Sequence, residues 1–414
     1  MSKTAKAIIL SVSLALVIFC VIGGLGVKAS SGDGAYRQLG VYSEVLSRIR
    51  SEYVEEPNIP NVTDGALHGL LESLDANSSY LDPAEYKAYK SHQNDGKADI
   101  GATISKRFGY AAVISVIPGG PADKVGLESG DIFEAIEGKS TRDMSLAEIQ
   151  SALTGQVGSN VNVSVVRARR AEPVKTVITR ELVKVPPMNS EIMDDAIGYA
   201  KVDALTKGES QEIANKIKAL QKQGAKRLIL DLRNVADGDE AEGIATANLF
   251  LNHGTIAYLQ GQKFPKETFN ADPAKAITTL PLVVLVNRGT AGPAEIVASS
   301  ILENARGDVV GDKTFGVGSV QKLIELPDGS ALILSVAKYY TPDGKAIQDA
   351  AVTPNILVAD NSDEAVIPDE DESTPNKDSL KEEKPKGPDQ QLQRAIQVLK
   401  NGAVQKASAA APGM

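Results

Sequence analysis

Residues 282–296 read Leu282-Val283-Val284-Leu285-Val286-Asn287-Arg288-Gly289-Thr290-Ala291-Gly292-Pro293-Ala294-Glu295-Ile296. The first five residues form a continuous apolar run, which is typical of a strand buried on both faces of a parallel sheet. Pro293 is favoured at the first position of a helix, so a helix is predicted from there to about Asn304. Val309 and Val310 begin the next apolar run. A strand, a helix and a second strand in this order predict a βαβ unit and therefore an α/β fold.

The α/β pattern extends over residues 185–358, which we predict to be the core domain. Residues 97–183 differ, because short β-prone runs, glycine-containing turns and one short helix predict a small β-rich domain. Residues 36–96 precede it and predict a helical region, in which Pro57 and Pro60 separate two helices. For the second helix the sequence predicts one apolar face, formed by Leu67, Leu70, Leu71 and Leu74.

The C-terminal part of the chain predicts a linker and a short helix. Residues 359–388 are acidic, contain several prolines and hold few apolar residues, which predicts a disordered, solvated linker. Asp389 is a good N-cap for a helix over residues 389–401. Its apolar residues share one face: Leu392, Ala395, Ile396 and Leu399. Asn401-Gly402 is expected to stop this helix, and residues 402–414 form an Ala-rich tail without a readable signal.

Composition excludes several classes of function. Lys and Arg number 44 against 53 Asp and Glu, so the net charge of −9 gives no basic surface for nucleic acid. The single cysteine, Cys20, excludes an intrachain disulfide and a thiolate metal cluster, and it argues against a cysteine nucleophile. None of the three histidines forms a pair with metal-ligand spacing. We therefore predict neither a metal site nor a cofactor.

Residues 1–31 are predicted to be a membrane anchor. Within them, residues 7–27 form an apolar run that spans the ~30 Å hydrocarbon core at ~1.5 Å rise per residue. Lys3 and Lys6 precede the run and should stay in the cytoplasm, which places the rest of the chain outside the cytoplasmic membrane. A cleaved signal peptide is the alternative, although the run is long for one and Val27-Lys28-Ala29 is a poor cleavage site.

The first predicted helix carries a seam of apolar residues. They recur at alternating spacings of three and four: Leu39, Tyr42, Leu46, Ile49 and Tyr53. Such a seam packs either on the body of its own chain or on a second copy in a homodimer. The sequence leaves both alternatives open.

Five stretches of the chain resemble, in order, signatures of the carboxyl-terminal processing peptidases, also called tail-specific proteases. The resemblance covers roughly residues 36–400 and rests on residues 69–81, 126–132, 230–234, 314–321 and 337–342. It implies a crotonase-like peptidase core with an inserted PDZ domain, and a Ser-Lys dyad that a glutamine supports. A lysine serves as the base of such a dyad only when desolvation lowers its pKa from ~10.4.

The resemblance puts the nucleophile at Gly292, the base 25 residues later at Val317 and the supporting glutamine at Gln321. The spacing of the family is intact, but a glycine has no hydroxyl group and a valine has no amine. Gly292 still suits the N-cap of a helix, and Val317 still suits an apolar pocket. These replacements predict a retained fold and a lost reaction.

The loop that helps to build the oxyanion hole in the family corresponds to residues 234–238. Here it carries Asp237, where the family has a glycine, followed by Gly238. A carboxylate at this place opposes the negative charge that an oxyanion hole has to stabilise. The altered loop therefore agrees with the loss of the dyad.

A relocated nucleophile is the alternative that would preserve activity. Thr290 and Ser319 are the candidate hydroxyl groups. In an extended strand Ser319 points away from Lys322, so it lacks that neighbour as a base. Lys313 lies before the turn, without a fixed geometry.

The carboxylate-binding loop of the PDZ domain corresponds to Gly101-Ala102-Thr103-Ile104, which keeps the first glycine of the family and has Thr103 at the second. In PDZ domains the backbone N–H groups of this loop hold a peptide C-terminus, and the peptide adds a strand to the sheet. We therefore predict capture of protein or peptide C-terminal tails. A domain kept for packing or for another partner is the alternative.

These observations together predict a bacterial protein anchored once in the inner (cytoplasmic) membrane, with its body in the periplasm or extracytoplasmic space. The predicted function is that of a pseudoprotease, which binds protein tails or a partner protease. An active serine endopeptidase with a relocated nucleophile is the first alternative. A structural envelope protein that forms dimers and binds no peptide is the second.

Overall fold

A computed structural model describes residues 33–94, 98–107, 109–167, 172–359 and 388–409. Its contacts divide the chain into two units at residue 66. Among the described residues, no helix is both long enough and apolar enough to cross a membrane. The predicted anchor at residues 7–27 and nearly all of the predicted acidic linker lie outside the described residues.

The helical region begins with α1 (Asp33–Glu52) and α2 (Ile59–Glu72). Pro60 lies in the first turn of α2, where its missing N–H costs no hydrogen bond. The predicted apolar face of α2 is wrong in part, because Leu71 is buried while Leu70 and Leu74 are exposed. Leu74 lies beyond the end of the helix. His68 takes the place of a leucine on the packed face, and the centre of its ring lies 5.3 Å from the centre of the Tyr80 ring in an edge-to-face arrangement.

A strand that the sequence did not predict follows α2. It is β1 (Ser79–Leu81), and the helix α3 (Pro83–Asn94) comes directly after it. β1 pairs antiparallel with a strand of the core, with Tyr80 opposite Leu332. Three residues are too few for a strand pattern to show in the sequence. The region predicted to be helical thus contributes one strand to the core.

The β-rich unit predicted at residues 97–183 forms one antiparallel sheet. Its strands are β2 (Ala102–Arg107), β3 (Tyr110–Val116), β4 (Ile132–Ile136), β5 (Lys139–Ser140), β6 (Asn160–Val166) and β7 (Val174–Thr179), and its helices are α4 (Pro121–Val125) and α5 (Leu146–Leu153). The strand order is β2-β3-β4-β6-β7, with β5 beside β4. The last strand of the unit is β7, which pairs antiparallel with β6. Phe133, Ile149 and Val163 form its apolar centre.

The core contains a six-stranded, mostly parallel sheet, which confirms the α/β prediction. Its strands are β8 (Asn189–Met193), β9 (Ile197–Lys201), β10 (Arg227–Asp231), β13 (Leu282–Val286), β14 (Asp308–Gly311) and β17 (Ile356–Leu357). Their order is β17-β14-β13-β10-β9-β8, and β8 alone is antiparallel to its neighbour. Every residue of β13 is buried, as its apolar run predicted.

Helices cover both faces of this sheet. On one face lie α6 (Glu209–Lys222), α7 (Glu240–Asn248) and α8 (Pro293–Glu303), together with a second sheet. On the other face, Ala395 and Leu399 of α9 (Gln390–Ala409) pack on Ile229 and Val283. Alternate residues of the central strands therefore serve two separate apolar cores.

The second sheet is antiparallel. It contains β1, β11 (Thr255–Gln260), β12 (Glu267–Asn270), β15 (Ser319–Glu325) and β16 (Ala331–Tyr340). The long strand β16 joins the parts, because it pairs with β1, β11 and β15. Its Ala337 and Tyr339 belong to the same apolar core as the helices.

The last helix, α9, begins as predicted but ends later. The carboxylate Oδ1 of Asp389 accepts a hydrogen bond from the backbone N–H of Leu392 at 2.9 Å, as an N-cap does. The expectation that Asn401-Gly402 stops the helix is wrong, because α9 continues to Ala409. One glycine inside a helix costs only about 1 kcal/mol, and the Ala-rich residues beyond it are strong helix formers.

Candidate functional site

The turn between β13 and α8 has a sharp and strained backbone at Gly292. Its φ of 57° and ψ of −119° belong to a conformation that residues with a side chain rarely adopt. A strained turn from strand to helix is also how α/β hydrolases present a nucleophile. A Cβ atom built on Gly292 would meet only the carbonyl oxygen of Ala236, at 4.0 Å. The position has the backbone and the space for a nucleophile, but it carries no hydroxyl group.

The buried carboxylate of Glu295 ties this turn to the predicted position of the base. Its Oε2 accepts the backbone N–H of Gly292 at 3.0 Å and that of Val317 at 2.8 Å. Its Oε1 accepts the N–H of Gly316 at 2.9 Å and the hydroxyl of Thr314. Gly292 and Val317 thus lie next to each other in space, on a single carboxylate oxygen.

Burial raises the pKa of Glu295 to about 7, although the four hydrogen bonds that it accepts work in the opposite direction. Sequence reasoning missed this residue. A glutamate at the third position of a helix is the signal that could have found it, because it caps the backbone N–H at the start of the helix. Here that N–H belongs to Gly292.

The retained Gln321 binds a serine instead of a lysine. Its Nε2 donates to the hydroxyl oxygen of Ser319 at 2.8 Å, and the Nδ2 of Asn77 donates to the same oxygen at 2.9 Å. Both partners are amides, and an amide nitrogen cannot accept a proton at neutral pH. The structure therefore surrounds Ser319, a candidate relocated nucleophile, with donors.

The other candidate residues for a relocated dyad are Thr290, Lys313 and Lys322. Thr290 is fully buried, its hydroxyl donates to the carbonyl of Leu232 at 2.8 Å, and it accepts the N–H of Asn287 at 3.0 Å. Lys313 and Lys322 are exposed. The described contacts bring neither lysine together with a candidate hydroxyl group.

The loop at residues 234–238 is locked to the turn that holds Gly292. Asn234 and Asn287 exchange two hydrogen bonds of 2.9 Å. At Gly238 the φ is 141°, and a Cβ atom would lie 2.3 Å from the carbonyl oxygen of Leu205, so only glycine fits. The carbonyl of Ala236 is the group nearest to the Cβ position of Gly292. A carbonyl oxygen accepts hydrogen bonds and donates none, so it offers no stabilisation to an oxyanion.

Asp237 lies among other carboxylates. Burial raises its pKa, and the negative charges of Asp99 and Asp239 raise it further. Asp99 belongs to the PDZ-like unit. In the same unit, the backbone carbonyl oxygen of Ile114 lies close to Gly289, because a Cβ atom built on Gly289 would be 3.0 Å from that oxygen. The PDZ-like unit therefore packs against the turn and the loop of the candidate site.

The predicted carboxylate-binding loop already holds a carboxylate of its own chain. Gly101 has a φ of 71°, and its backbone N–H donates to Oδ1 of Asp99 at 2.7 Å. From Ala102 onward the chain is β2, an edge strand that pairs with β3 alone among the described strands. Thr103 lies in β2, opposite Ser115. The loop thus offers a free strand edge together with an internal competitor for a peptide carboxylate.

Two family models match separate parts of the chain, one in the α/β core and one in the β-rich unit. Residues 196–358 match the model of peptidase family S41, and residues 113–167 match a PDZ domain. The carboxy-terminal processing protease CtpA of Bacillus subtilis is 33% identical over 83% of this chain and 73% of its own. The carboxyl-terminal-processing protease of Picosynechococcus sp. is 33% identical over 75% of this chain and 76% of its own.

Among solved structures, a photosystem II D1 C-terminal processing protease is similar with a TM-score of 0.64 and 25% sequence identity. The similarity covers 77% of this chain and 92% of that one.

Proposed function

The chain belongs to the carboxyl-terminal processing proteases of peptidase family S41, and we propose that it binds protein C-terminal tails without cleaving them. One observation carries this proposal. Glu295 accepts the backbone N–H groups of both Gly292 and Val317, the two residues to which the family resemblance assigns the nucleophile and the base. Neither residue has a group that attacks a carbonyl or accepts a proton.

The loss of both groups sets the expected scale of the effect. Removal of either member of a catalytic unit costs several powers of ten in rate, and the losses do not add. The carbonyl of Ala236, which faces Gly292, supports the same conclusion, because the second source of rate acceleration would be an oxyanion hole at this place. We therefore expect hydrolysis at the background rate.

Tail binding is supported by the free edge of β2 and the loop that precedes it. A peptide that pairs with β2 gains backbone hydrogen bonds along the strand, and its terminal carboxylate reaches the loop at Gly101. The similar proteins are named for the processing of C-terminal ends. In this chain the bound partner is a protein tail, or a partner protease that offers such a tail.

The location is proposed from the sequence. The apolar run at residues 7–27, preceded by Lys3 and Lys6, supports a single-pass anchor in the cytoplasmic membrane of a bacterium. The PDZ domain and the core then lie in the periplasm or extracytoplasmic space. A homodimer through the apolar seam of α1 is compatible with this arrangement, because Leu39 and Tyr42 of that seam are exposed.

Two measurements on the full chain in mild detergent test the proposal. A fluorophosphonate probe reacts with an activated serine, so we expect no labelling of the wild type above that of the Ser319→Ala variant. Titration with fluorescent peptides that end in apolar residues should show saturable binding that amidation of the peptide C-terminus weakens. Serine-specific labelling would support the active alternative, and the absence of any peptide binding would support the structural one.

A further inference from the structure

We propose that the hydroxyl group of Ser319 binds a backbone carbonyl of the captured tail, upstream of the residues that pair with β2. Ser319 is the first residue of β15 and lies two positions after Val317. Only 7% of its surface is exposed. This inference rests on the proposed function, because it adds a second contact for the tail beside the candidate site.

The hydrogen bonds of this hydroxyl group leave its own hydrogen without an acceptor. A serine hydroxyl has two lone pairs that accept and one hydrogen that it donates. The amide nitrogens of Asn77 and Gln321 donate to its oxygen at 2.9 and 2.8 Å, which uses both lone pairs. Among the described residues, none accepts the hydrogen. A buried donor without an acceptor is unfavourable, and a ligand that brings a carbonyl oxygen satisfies it.

The groups around the hydroxyl suit a peptide group better than a carboxylate. The amides of Asn77 and Gln321 each carry an oxygen that accepts N–H, in addition to the nitrogen that donates to Ser319. A peptide group offers both a carbonyl oxygen and an N–H, whereas a carboxylate only accepts. Gln321 is exposed and Asn77 is half-buried, so this cluster opens to the surface on the side of the two amides.

The cluster is fixed in place before a tail binds. The backbone N–H groups of Asn77 and Ser78 donate to Oδ1 of Asp75 at 2.9 and 2.8 Å. The hydroxyl of Ser335 donates to the same oxygen at 3.0 Å. Ser335 lies in β16, opposite Gln321 of β15. A donor that is fixed in advance loses little conformational freedom on binding, which favours affinity.

The end of β2 leads toward this cluster. A peptide that pairs with β2 runs antiparallel to it and has its C-terminus at the loop of Gly101, so its earlier residues leave β2 beyond Lys106. There Nζ of Lys106 lies 2.8 Å from Oε1 of Glu72, and Glu72 precedes Asn77 by five residues. β2 itself has six residues. The hydroxyl of Ser319 therefore receives a residue that lies more than about six positions before the C-terminus of the tail.

Peptides of two lengths, titrated against the full chain in mild detergent, test this inference. Both end in the same six residues with an apolar C-terminus, and the longer peptide carries ten further residues before them. The longer peptide should bind the wild type about three- to tenfold more tightly, as one added hydrogen bond allows. In Ser319→Ala and Ser319→Cys this advantage should fall to about one, because a methyl group donates no hydrogen bond and a thiol donates a weak one. The six-residue peptide should bind all three proteins equally.

A scan of esters through the longer peptide identifies the backbone group. Each of the ten added peptide bonds is replaced in turn by an ester, whose carbonyl oxygen is a weaker acceptor than that of an amide. One position should lose about three- to tenfold in affinity for the wild type. The same ester should change the affinity for Ser319→Ala by less than about twofold, because the donor is already absent.

The matched control is Ser335→Ala, which removes a neighbouring hydroxyl group and leaves Ser319 in place. This variant should keep both the advantage of the longer peptide and the ester-sensitive position. Equal affinity of the two peptides for the wild type would refute the assignment and leave tail binding intact. An advantage that persists in both Ser319 variants would also refute it, because the added contact then lies elsewhere. Failure of both peptides to bind would overturn the assignment and the proposed function together.

Discussion

The Oε2 atom of Glu295 lies 2.8 Å from the backbone nitrogen of Val317, and it accepts the N–H of Gly292 as well. A single buried carboxylate therefore links the two residues at which the family resemblance puts the nucleophile and the base. It does so through backbone groups alone, so the side chains of Gly292 and Val317 take no part in this link.

This role of Glu295 predicts the effect of replacing its carboxylate by an amide. In Glu295→Gln one acceptor oxygen becomes a donor, which then faces N–H groups that already need an acceptor. Unsatisfied buried donors cost about 1–3 kcal/mol each, so the free energy of unfolding should fall by at least that amount. Urea denaturation at pH 8 measures the loss. The control Glu303→Gln, at the other end of the same helix, keeps an oxygen for its one exposed contact, the N–H of Asp343, and should cost less.

The raised pKa of Glu295 also predicts a pH dependence. Its pKa is about 7 in the folded protein and 4.5 in the unfolded chain. The unfolded chain therefore loses this proton first as the pH rises, and the contribution of Glu295 to stability falls between pH 4.5 and about 7. The loss over this range should be smaller in Glu295→Gln than in the wild type. Urea denaturation at several pH values measures the free energy of unfolding of both proteins. If it falls equally with pH in the wild type and in Glu295→Gln, this assignment of the pKa is contradicted.

Asp231 predicts the opposite behaviour at lower pH. Burial by itself raises the pKa of this carboxyl, but Lys201, Arg233 and Tyr199 outweigh burial and hold the pKa at about 2. Its contribution to stability is complete above the unfolded pKa of 3.8 and is lost as the pH falls toward 2. Asp231→Asn should therefore unfold more easily at pH 7 and lose less stability between pH 4 and pH 2. Thermal unfolding followed by circular dichroism measures both effects.

Asp99 predicts a gain in binding. Its carboxylate occupies the N–H of Gly101, which a peptide carboxylate would otherwise use. Asp99→Asn keeps an oxygen for that N–H and removes the negative charge, so peptides with a free C-terminus should bind several-fold more tightly. Amidated peptides should gain little. The control Asp123→Asn, whose carboxylate accepts the N–H of Gly119 in the same domain, should leave the affinity for both peptides unchanged.

The sequence predicts those parts of the fold and of the candidate site that local patterns encode. The apolar run of β13 and Pro293 predict the strand and helix that flank Gly292, and the intact spacing pairs Gly292 with Val317. Contacts between distant segments leave no such pattern. The three-residue strand β1, the amide of Asn77 at Ser319 and the carbonyl of Ala236 at Gly292 all depend on tertiary packing. The continuation of α9 beyond Gly402 shows that a local stop signal is weak against helix-forming neighbours.

The predicted anchor is tested by a truncation. Deletion of residues 1–31 removes the apolar run at residues 7–27 and should move the protein from the membrane fraction to the soluble fraction, because this run is the proposed attachment. Fractionation of cells that express either form, with immunodetection, measures this. A truncated protein that remains with the membranes would show that a second attachment exists.

Gly292→Ser combined with Val317→Lys is predicted to produce slow hydrolysis. Gly292→Ser has space for its side chain but strains the backbone at a positive φ, which costs about 1–3 kcal/mol. Gly292→Ser alone and Val317→Lys alone should stay at background, because each lacks the other group. The double variant should cleave slowly, and adding Asp237→Gly should increase the rate. The rate stays low because Pro293 removes a backbone N–H beside the new serine and the Ala236 carbonyl faces it.

Hydrolysis of an unfolded reporter protein with an apolar C-terminal tail, by the wild-type full chain, tests the central claim most directly. The Ser319→Ala and Thr290→Ala variants are measured beside it. If Gly292 and Val317 leave the site without a nucleophile and a base, the wild type and both variants cleave at the rate of a reaction without protein. Clear turnover by the wild type that either substitution abolishes would contradict the claim and establish a peptidase with a relocated nucleophile.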